Sequence, residues 1–226
     1  MLQKIMDNSI YNIIISIIPL IFAITIHEVS HGYVARKLGD PTAFALGRLT
    51  LNPLKHIDIL GTIVVPIISF LFIGVTFGWA KPVPVNFNNL KNYRRDSLLV
   101  ALVGPLSNLG MAFFWSLIVF LFLFLQHYIH LPLIDGMQHM GLNGIIINLS
   151  FMLFNLIPIL PLDGGRVLNS LLPKKMSYYY EQIEPYGLYI VMFLTFTGFI
   201  SKVIVPLMIS IYPYFFFFLH FAHLYA

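Results

Sequence analysis

Two histidines and a glutamate stand at the end of the first apolar stretch of the chain. The sequence His27-Glu28-Val29-Ser30-His31 directly follows an uncharged run over residues 9–26. Positions i and i+4 of a helix share one face, so both imidazoles could bind one zinc ion while Glu28 reaches a water on it. The alternative is two interfacial histidines beside a glutamate whose carboxylate extends to water. The spacing favours a metal centre with a neighbouring catalytic carboxylate.

Such a centre needs a third protein ligand. The chain contains no cysteine, so its ligands must be nitrogen and oxygen, which is typical of catalytic rather than structural zinc. Asp163 is the candidate, because a carboxylate directly after the uncharged run 136–162 is unfavourable unless it is paired or binds a metal. The alternative is a helix end at which Asp163 pairs with Arg166. The surrounding segment is interrupted by two prolines and two glycines: Pro158, Pro161, Gly164 and Gly165. It therefore predicts a locally broken helix.

Composition indicates a protein that lies in a lipid bilayer. The 226 residues are 58% hydrophobic and only 10% charged, against about 25% charged in typical soluble proteins. A helix needs about 20 residues to cross the hydrocarbon core, and six uncharged runs approach or exceed that length: 9–26, 59–80, 97–125, 136–162, 185–201 and 203–226. We predict an all-α, polytopic helical membrane protein with five to six transmembrane helices. We expect one membrane-embedded domain, 1–226, whose first run is a retained helix rather than a signal peptide.

The distribution of cations predicts the topology, since loops rich in Lys and Arg stay on the cytoplasmic side. If run 59–80 spans, the loop cations divide between both sides with a weak bias. If it enters and returns, one side collects Arg36, Lys37, Arg48, Lys55, Lys81, Lys91, Arg94, Arg95, Lys174 and Lys175. Only Lys4 and Lys202 then lie opposite. We therefore predict five spanning helices, a re-entrant segment at 59–80, and parallel first and fourth helices.

These motifs resemble those of the site-2 proteases, a family of intramembrane zinc metalloproteases. The resemblance covers the whole chain and is closest to the short bacterial branch without PDZ or CBS domains. It rests on four segments: His27-Glu28-x-x-His31; Asn52-Pro53-Leu54-Lys55-His56-Ile57-Asp58 with Gly61-Thr62; Gly104-Pro105-Leu106-Ser107-Asn108; and Asn155…Pro158…Leu162-Asp163-Gly164. It implies that His27, His31 and Asp163 bind zinc and that Glu28 is catalytic. It also implies that Asn155 contacts the substrate or an oxyanion, the alternative being a helix–helix hydrogen bond.

The resemblance implies a zinc endopeptidase that hydrolyses peptide bonds in transmembrane segments of substrate proteins. The expected partners are a transmembrane protein or peptide and the lipid bilayer, and no nucleic acid, because the basic residues are explained by topology. The expected location is the plasma membrane of a bacterium, with the active site nearer the cytoplasmic side. The alternatives are a cation transporter and an inactive metal-binding scaffold, although no second copy of either motif is present, as transporter repeats would require.

The segment 80–86 predicts a way to hold an unwound substrate. In an extended strand, alternate residues direct their N–H and C=O groups to opposite edges. Pro82 and Pro84 fall on one edge, which leaves Lys81, Val83 and Val85 on an edge that could accept an added strand. We therefore expect a short extended strand that binds substrate by strand addition, the alternative being a plain proline-rich linker.

Other marked residues are predicted to be structural. Gly104, Ser107 and Asn108 should let two helices approach closely and form hydrogen bonds across their interface. His56 and Asp58 could gate entry or cap a helix, and we favour the structural role.

Overall fold

The computed structural model describes residues 2–65, 81–128 and 131–216. Eight α-helices are described: α1 (Leu2–Leu38), α2 (Thr42–Ala45), α3 (Tyr93–Gln126), α4 (Pro132–Asn155), α5 (Asp163–Leu171), α6 (Lys174–Glu181), α7 (Glu184–Phe196) and α8 (Phe199–Ile211). Short 3₁₀ turns lie at Pro53–Lys55, Phe87–Asn89 and Tyr212–Phe216, and a π-helical turn at Ile59–Val64. The predicted all-α class is confirmed. The predicted strand at 80–86 is not observed, since residues 81–86 form no regular element.

Local sequence sets the ends of the long helices. Arg36 and Lys37 occupy the last turn of α1, where cations interact favourably with the helix dipole. The Asn92 side chain caps α3 by accepting a hydrogen bond from the Arg95 amide, while Asp96 accepts one from the Asn92 amide. The break predicted around Asp163 is present, because α4 ends at Asn155 and α5 begins at Asp163.

Helices α1 and α4 run parallel. The Tyr11 and His139 rings lie 6.4 Å apart, and Asn143 Nδ2 donates a hydrogen bond of 3.0 Å to Ser16 Oγ. Positions that increase along α1 therefore meet positions that increase along α4. This is the arrangement predicted for the first and fourth apolar runs.

Helix α3 runs antiparallel to α1. Rising positions in α1 meet falling positions in α3 at three contacts: His27 with Asn108, His31 with Val100, and Leu38 with Lys91 just before α3. The chain between these helices therefore starts and returns at one end of the bundle. A single crossing by residues 59–80 would have made α1 and α3 parallel, so the helix directions agree with the predicted re-entrant segment. Its residues 66–80 lie outside the described part of the chain.

The central helices bury amide side chains within the bundle and expose large apolar side chains on its exterior. Asn108 and Asn148 are fully buried. Large apolar side chains on α3 are instead exposed, among them Phe113, Phe114, Leu117 and Leu121. Contiguous exposed apolar surface of this kind is expected where lipid rather than water surrounds the helices. The buried apolar core lies between α3 and α4, where Trp115 and Val119 share a cluster with Ile145 and Leu149.

The predicted number of spans is not confirmed. Among the described residues, Ile14–Leu38 of α1 and Tyr93–Gln126 of α3 are long and apolar enough to cross a bilayer. Helices α7 and α8 meet at a bend of 73°. They add a third candidate span only if the two together form one broken span. Each has 13 residues, about 20 Å of helix, which is short of the ~30 Å hydrocarbon core. The bend lies at Gly198, whose φ of 71° favours glycine.

The topology can be tested with single cysteines, since the natural chain has none. Lys175 and Tyr128 are exposed residues at opposite ends of the bundle. In intact cells, a membrane-impermeant maleimide should label Lys175→Cys and Tyr128→Cys from opposite sides of the membrane, and both variants should react after solubilisation in detergent. Labelling of both variants from the same side would contradict the helix directions described above.

Candidate metal centre

The three side chains predicted to bind metal converge at one point. His27 Nε2 and His31 Nε2 lie 3.1 Å apart, and Asp163 Oδ2 lies 3.2 Å from the first and 3.3 Å from the second. Both histidines are buried, with 6% and 9% of their surfaces exposed. They project from one face of α1, whereas Asp163 is the first residue of α5. Among the described residues, this is the group of His, Asp or Glu side chains that could hold a metal ion.

The outer nitrogen of each imidazole fixes the state of the inner one. His27 Nδ1 lies 2.7 Å from Asn108 Oδ1, and His31 Nδ1 lies 2.7 Å from the Val100 carbonyl oxygen. Both partners are acceptors, so each Nδ1 donates, and when the ring is neutral its Nε2 carries no proton. Asp163 Oδ2 is buried and then has no hydrogen-bond donor among the described residues. Three lone-pair-bearing atoms therefore face one another, and a cation would satisfy all three.

The dimensions of the cluster fit zinc. Nitrogen and carboxylate ligands lie about 2.0–2.1 Å from zinc in a tetrahedral site, which places neighbouring ligand atoms about 3.3–3.4 Å apart. The observed separations of 3.1, 3.2 and 3.3 Å are close to that value. Two imidazoles and one carboxylate also form a ligand set typical of catalytic zinc, which keeps its fourth position open. The donor set and its spacing therefore fit the zinc ion that the sequence predicts.

Helix α3 passes so close to the centre that only glycine fits at one position. A Cβ atom on Gly104 would lie 2.3 Å from His31 Nε2 and 2.6 Å from His27 Cε1. Real contacts of a Cβ atom do not become this short, and the obstruction would fall on the two imidazole rings themselves. The close approach predicted for Gly104 is confirmed, and it occurs directly against the ligands.

Asn108 connects the centre to the interior of the bundle. Besides accepting from His27, it donates through Nδ2 to the Ala23 carbonyl oxygen at 3.2 Å and to Asn148 Oδ1 at 3.0 Å. Asn148 in turn donates to the Gly144 carbonyl oxygen. This chain fixes the orientation of both amides and makes Asn108 an acceptor toward His27. The predicted hydrogen bonding of Asn108 across the interface is confirmed, whereas its contact with a ligand was not predicted.

Glu28 is held by the backbone of a distant segment. Its Oε2 accepts a hydrogen bond of 2.6 Å from the amide of Val83, which is itself buried. The amide of Lys81 donates to the His56 carbonyl oxygen. Two of the three donors predicted to bind a substrate strand therefore have partners within the chain. Sequence reasoning missed the Glu28 contact, although the prolines on either side of Val83 single out its amide as a donor.

Two further predicted residues have local partners. Asn155 is the last residue of α4, and its Nδ2 donates to the Phe151 carbonyl oxygen one turn earlier at 3.1 Å. That bond lies within its own helix and is not the helix–helix contact considered as an alternative. Arg166 pairs with Glu184 at 2.7 Å rather than with Asp163, so the alternative of a local Asp163–Arg166 pair is not observed.

Two residues predicted to be structural, Asp58 and His56, have partners within the chain, whereas Ser107 Oγ donates to the Gly104 carbonyl oxygen of its own helix and not across the interface. Asp58 caps the π-helical turn by accepting from the Gly61 amide at 2.7 Å. His56 is buried, with its Nε2 2.9 Å from the Thr50 carbonyl oxygen. Neither side chain belongs to the metal-binding cluster.

Comparison with known proteins agrees with this chemistry. The chain is 40% identical over 198 residues to a protein of Bacillus subtilis named "Putative zinc metalloprotease YwhC", covering 85% of this chain and 84% of that protein. It is 25% identical over 183 residues to "Putative zinc metalloprotease Rip2" of Mycolicibacterium smegmatis, covering 80% and 66%. It is 23% identical over 221 residues to "Zinc metalloprotease MJ0392" of Methanocaldococcus jannaschii, covering 94% and 50%. No solved structure gives a significant match.

Apolar helices around a site that fits zinc define a membrane-embedded zinc metalloprotease. The model of peptidase family M50 matches residues 133–198, the part of the chain that contains α4, α5 and Asp163. The chain belongs to this family, the site-2 proteases. Each of the three relatives carries a zinc metalloprotease name, so the comparisons give no support to the cation-transport alternative.

Substitution of Gly104 should disrupt the metal centre. In Gly104→Ala the new methyl group would displace the ligand imidazoles, so we expect zinc affinity to fall by about 10–100-fold or more, the loss typical when support of a ligand is removed. Gly110→Ala is the matched control on the same helix, because nothing lies within 4 Å of its Cβ position. Zinc content of the purified proteins and competition with a chelator give the measurement. Unchanged affinity in Gly104→Ala would contradict the described approach of α3.

Removal of the Asn108 amide should weaken the centre without removing a ligand. Asn108→Ala leaves His27 Nδ1 without its acceptor, and we expect a 10–100-fold loss of zinc affinity in the same chelator competition. Asn143→Ala is the control, since its partner Ser16 lies in the same bundle but away from the ligands. Equal affinities in the two variants would show that Asn108 does not support His27.

Proposed function

We propose that this zinc metalloprotease cuts peptide bonds within transmembrane segments of other membrane proteins. In this proposal His27, His31 and Asp163 hold the zinc ion and Glu28 is the catalytic residue. The observation that carries the assignment is the convergence of two imidazole Nε2 atoms and a buried carboxylate oxygen within 3.1–3.3 Å. The catalytic domain is proposed to comprise residues 1–226 as a single membrane-embedded unit.

A zinc ion bound here would supply Lewis-acid activation of the scissile carbonyl and of the attacking water. Glu28 directly follows His27 in the turn of α1 that ends at His31, and we place its carboxylate beside the cluster. We assign it the proton transfers of the reaction: it accepts a proton from the attacking water and returns it to the leaving amine. Its Oε2 is engaged by the Val83 amide, which leaves Oε1 for this exchange.

Asn155 is proposed to donate a hydrogen bond to the developing oxyanion. Its amide nitrogen carries two hydrogens, and the bond to the Phe151 carbonyl uses one of them. The second hydrogen is available at the end of α4, next to the turn that leads to Asp163. A donor of this kind contributes about 10²–10³ to the rate.

The location of the centre supports a substrate within the membrane. His31 precedes Lys37 by six residues of α1 and His27 precedes it by ten, which places them about 9 Å and about 15 Å from the basic end of the helix. We propose that this basic end faces the cytoplasm, following the positive-inside rule. The active site would then lie below the cytoplasmic surface of the plasma membrane of a bacterium, where it meets substrate helices rather than soluble peptides.

The decisive variant is Glu28→Gln. The substitution keeps the size of the side chain but removes the proton acceptor, so we expect full zinc occupancy and a fall in turnover of about 10²–10⁴-fold or more. Purified protein in detergent and a fluorogenic transmembrane peptide give the rate, and elemental analysis gives the zinc content. Asp163→Ala should instead lose both zinc and turnover.

The control exchanges an acid far from the centre. Asp135→Asn changes an exposed carboxylate on α4, near the end of α3 where Asp135 bonds to Gln126, and should retain zinc and wild-type turnover. Persistent cleavage by Glu28→Gln would refute the assigned role of Glu28. In cells, the uncut substrates should accumulate as single-span fragments in Glu28→Gln and not in the wild type.

A further inference from the structure

Asp40 is a buried acid for which the proposed chemistry has no role. It follows α1 and is fully buried, with 0% of its surface exposed. No described Lys or Arg forms a salt bridge with it. A buried carboxylate without a cation is unfavourable unless hydrogen bonds replace its hydration. Its position therefore requires an explanation.

Four hydrogen bonds supply that compensation. Asp40 Oδ1 accepts from the backbone amide and the hydroxyl of Thr42 and, at 2.9 Å, from Asn89 Nδ2. Asp40 Oδ2 accepts from the backbone amide of Asn86 at 2.7 Å. Burial raises the pKa of Asp40, but the bonds from Thr42, Asn89 and Asn86 outweigh it and lower the pKa below its ordinary value. Asp40 is therefore an ionised acceptor at neutral pH.

Two of these donors belong to a segment that is remote in sequence. We call residues 81–89 the crossing segment. Asp40 fixes its far end through Asn86 and Asn89. Its near end is fixed by Arg48, whose Nη2 donates to the carbonyl oxygens of Lys81 and Pro82 at 3.1 and 3.3 Å. The segment is thus attached on both sides of Val83 to the stretch of chain that follows α1.

Between these attachments the crossing segment touches the proposed catalytic residue. The Val83 amide donates to Glu28 Oε2 at 2.6 Å, and neither Pro82 nor Pro84 has an amide hydrogen to compete. The Val83 side chain is 6% exposed and packs over Gly32, where an added Cβ would lie 2.7 Å from Val83 Cγ1. The attachments therefore determine where the Val83 donor lies.

The same segment also contacts the helix that supplies the carboxylate ligand. The guanidinium carbon of Arg166 lies 4.7 Å from the centre of the Phe87 ring, and Arg166 belongs to α5, which begins with Asp163. The crossing segment thus bridges α1 and α5 beside the metal centre. A glutamate has three side-chain torsions, so a fixed donor on one oxygen restricts how it presents the other.

We propose that Asp40 is a positioning residue for peptide-bond hydrolysis, which holds the crossing segment so that the Val83 amide keeps Glu28 in one orientation. The inference rests on the proposed catalytic role of Glu28. It assigns the amide of Val83 to the enzyme's own carboxylate rather than to a substrate strand. Positioning of Glu28 predicts an effect on kcat, whereas binding of a substrate strand predicts an effect on KM.

The test exchanges one acceptor atom. Asp40→Asn is isosteric but places an NH₂ group opposite an N–H donor, so the crossing segment should lose one attachment. We expect kcat to fall by about 10–100-fold, the scale expected for a misplaced catalytic group, while KM and zinc content stay unchanged. The double variant Asp40→Asn with Asn89→Asp returns a donor–acceptor pair and should recover much of kcat. Asn88→Asp is the matched control, because its exposed side chain lies on the same segment, and it should have wild-type kinetics.

Val83→Pro removes the amide hydrogen directly and keeps the test independent of the folding of the Asp40 variant. The proposal expects the same fall in kcat with zinc and KM intact. A rise in KM with unchanged kcat would overturn it in favour of substrate binding by this edge, and wild-type kcat in both single variants would overturn it outright. Loss of zinc from Asp40→Asn would also overturn it, by showing a purely structural role. If Glu28→Gln remained active, the proposed function would fail instead, so the two failures are distinguishable.

Discussion

Three electron-rich atoms held about 3 Å apart inside an apolar bundle are the constraint on which this structure depends. Two neutral imidazole nitrogens and a carboxylate oxygen repel one another unless a cation lies between them. The surroundings preserve this arrangement, because the outer nitrogens of His27 and His31 are both bonded to acceptors. In a neutral ring this arrangement leaves the inner nitrogen as the one that can bind a metal ion.

Helix α3 makes the arrangement possible although it contributes no ligand. It supplies both acceptors, through the Asn108 side chain and the Val100 backbone, and Gly104 lets it approach the ligand rings. Helix α4, which runs parallel to α1, holds the Asn108 side chain in place through its hydrogen bond to Asn148. Buried amides of this kind are acceptable in a membrane protein only when each is satisfied. These buried amides thus support the metal centre.

Local sequence patterns predicted the three side chains of the metal-binding cluster. The contacts that hold Glu28 join distant parts of the chain and were not predicted. The spacing of His27 and His31 and the unfavourable position of Asp163 are visible in sequence, because helix periodicity and the cost of a charge after an apolar run are local properties. The contact of Val83 with Glu28 joins residues far apart in the chain, so no pattern of spacing reveals it. Hydropathy also does not register the backbone turn at Gly198, at which the described helices α7 and α8 bend.

The order of the ligands along the chain has a consequence for biosynthesis. His27 and His31 leave the ribosome early, whereas Asp163 follows only after α3 and α4. A nascent chain that has inserted α1 alone possesses two of three ligands, and two imidazoles retain zinc far less well than the full set. A chain that ends before Asp163 therefore lacks one of the three side chains of the cluster, which is complete only after α3 and α4 have been made.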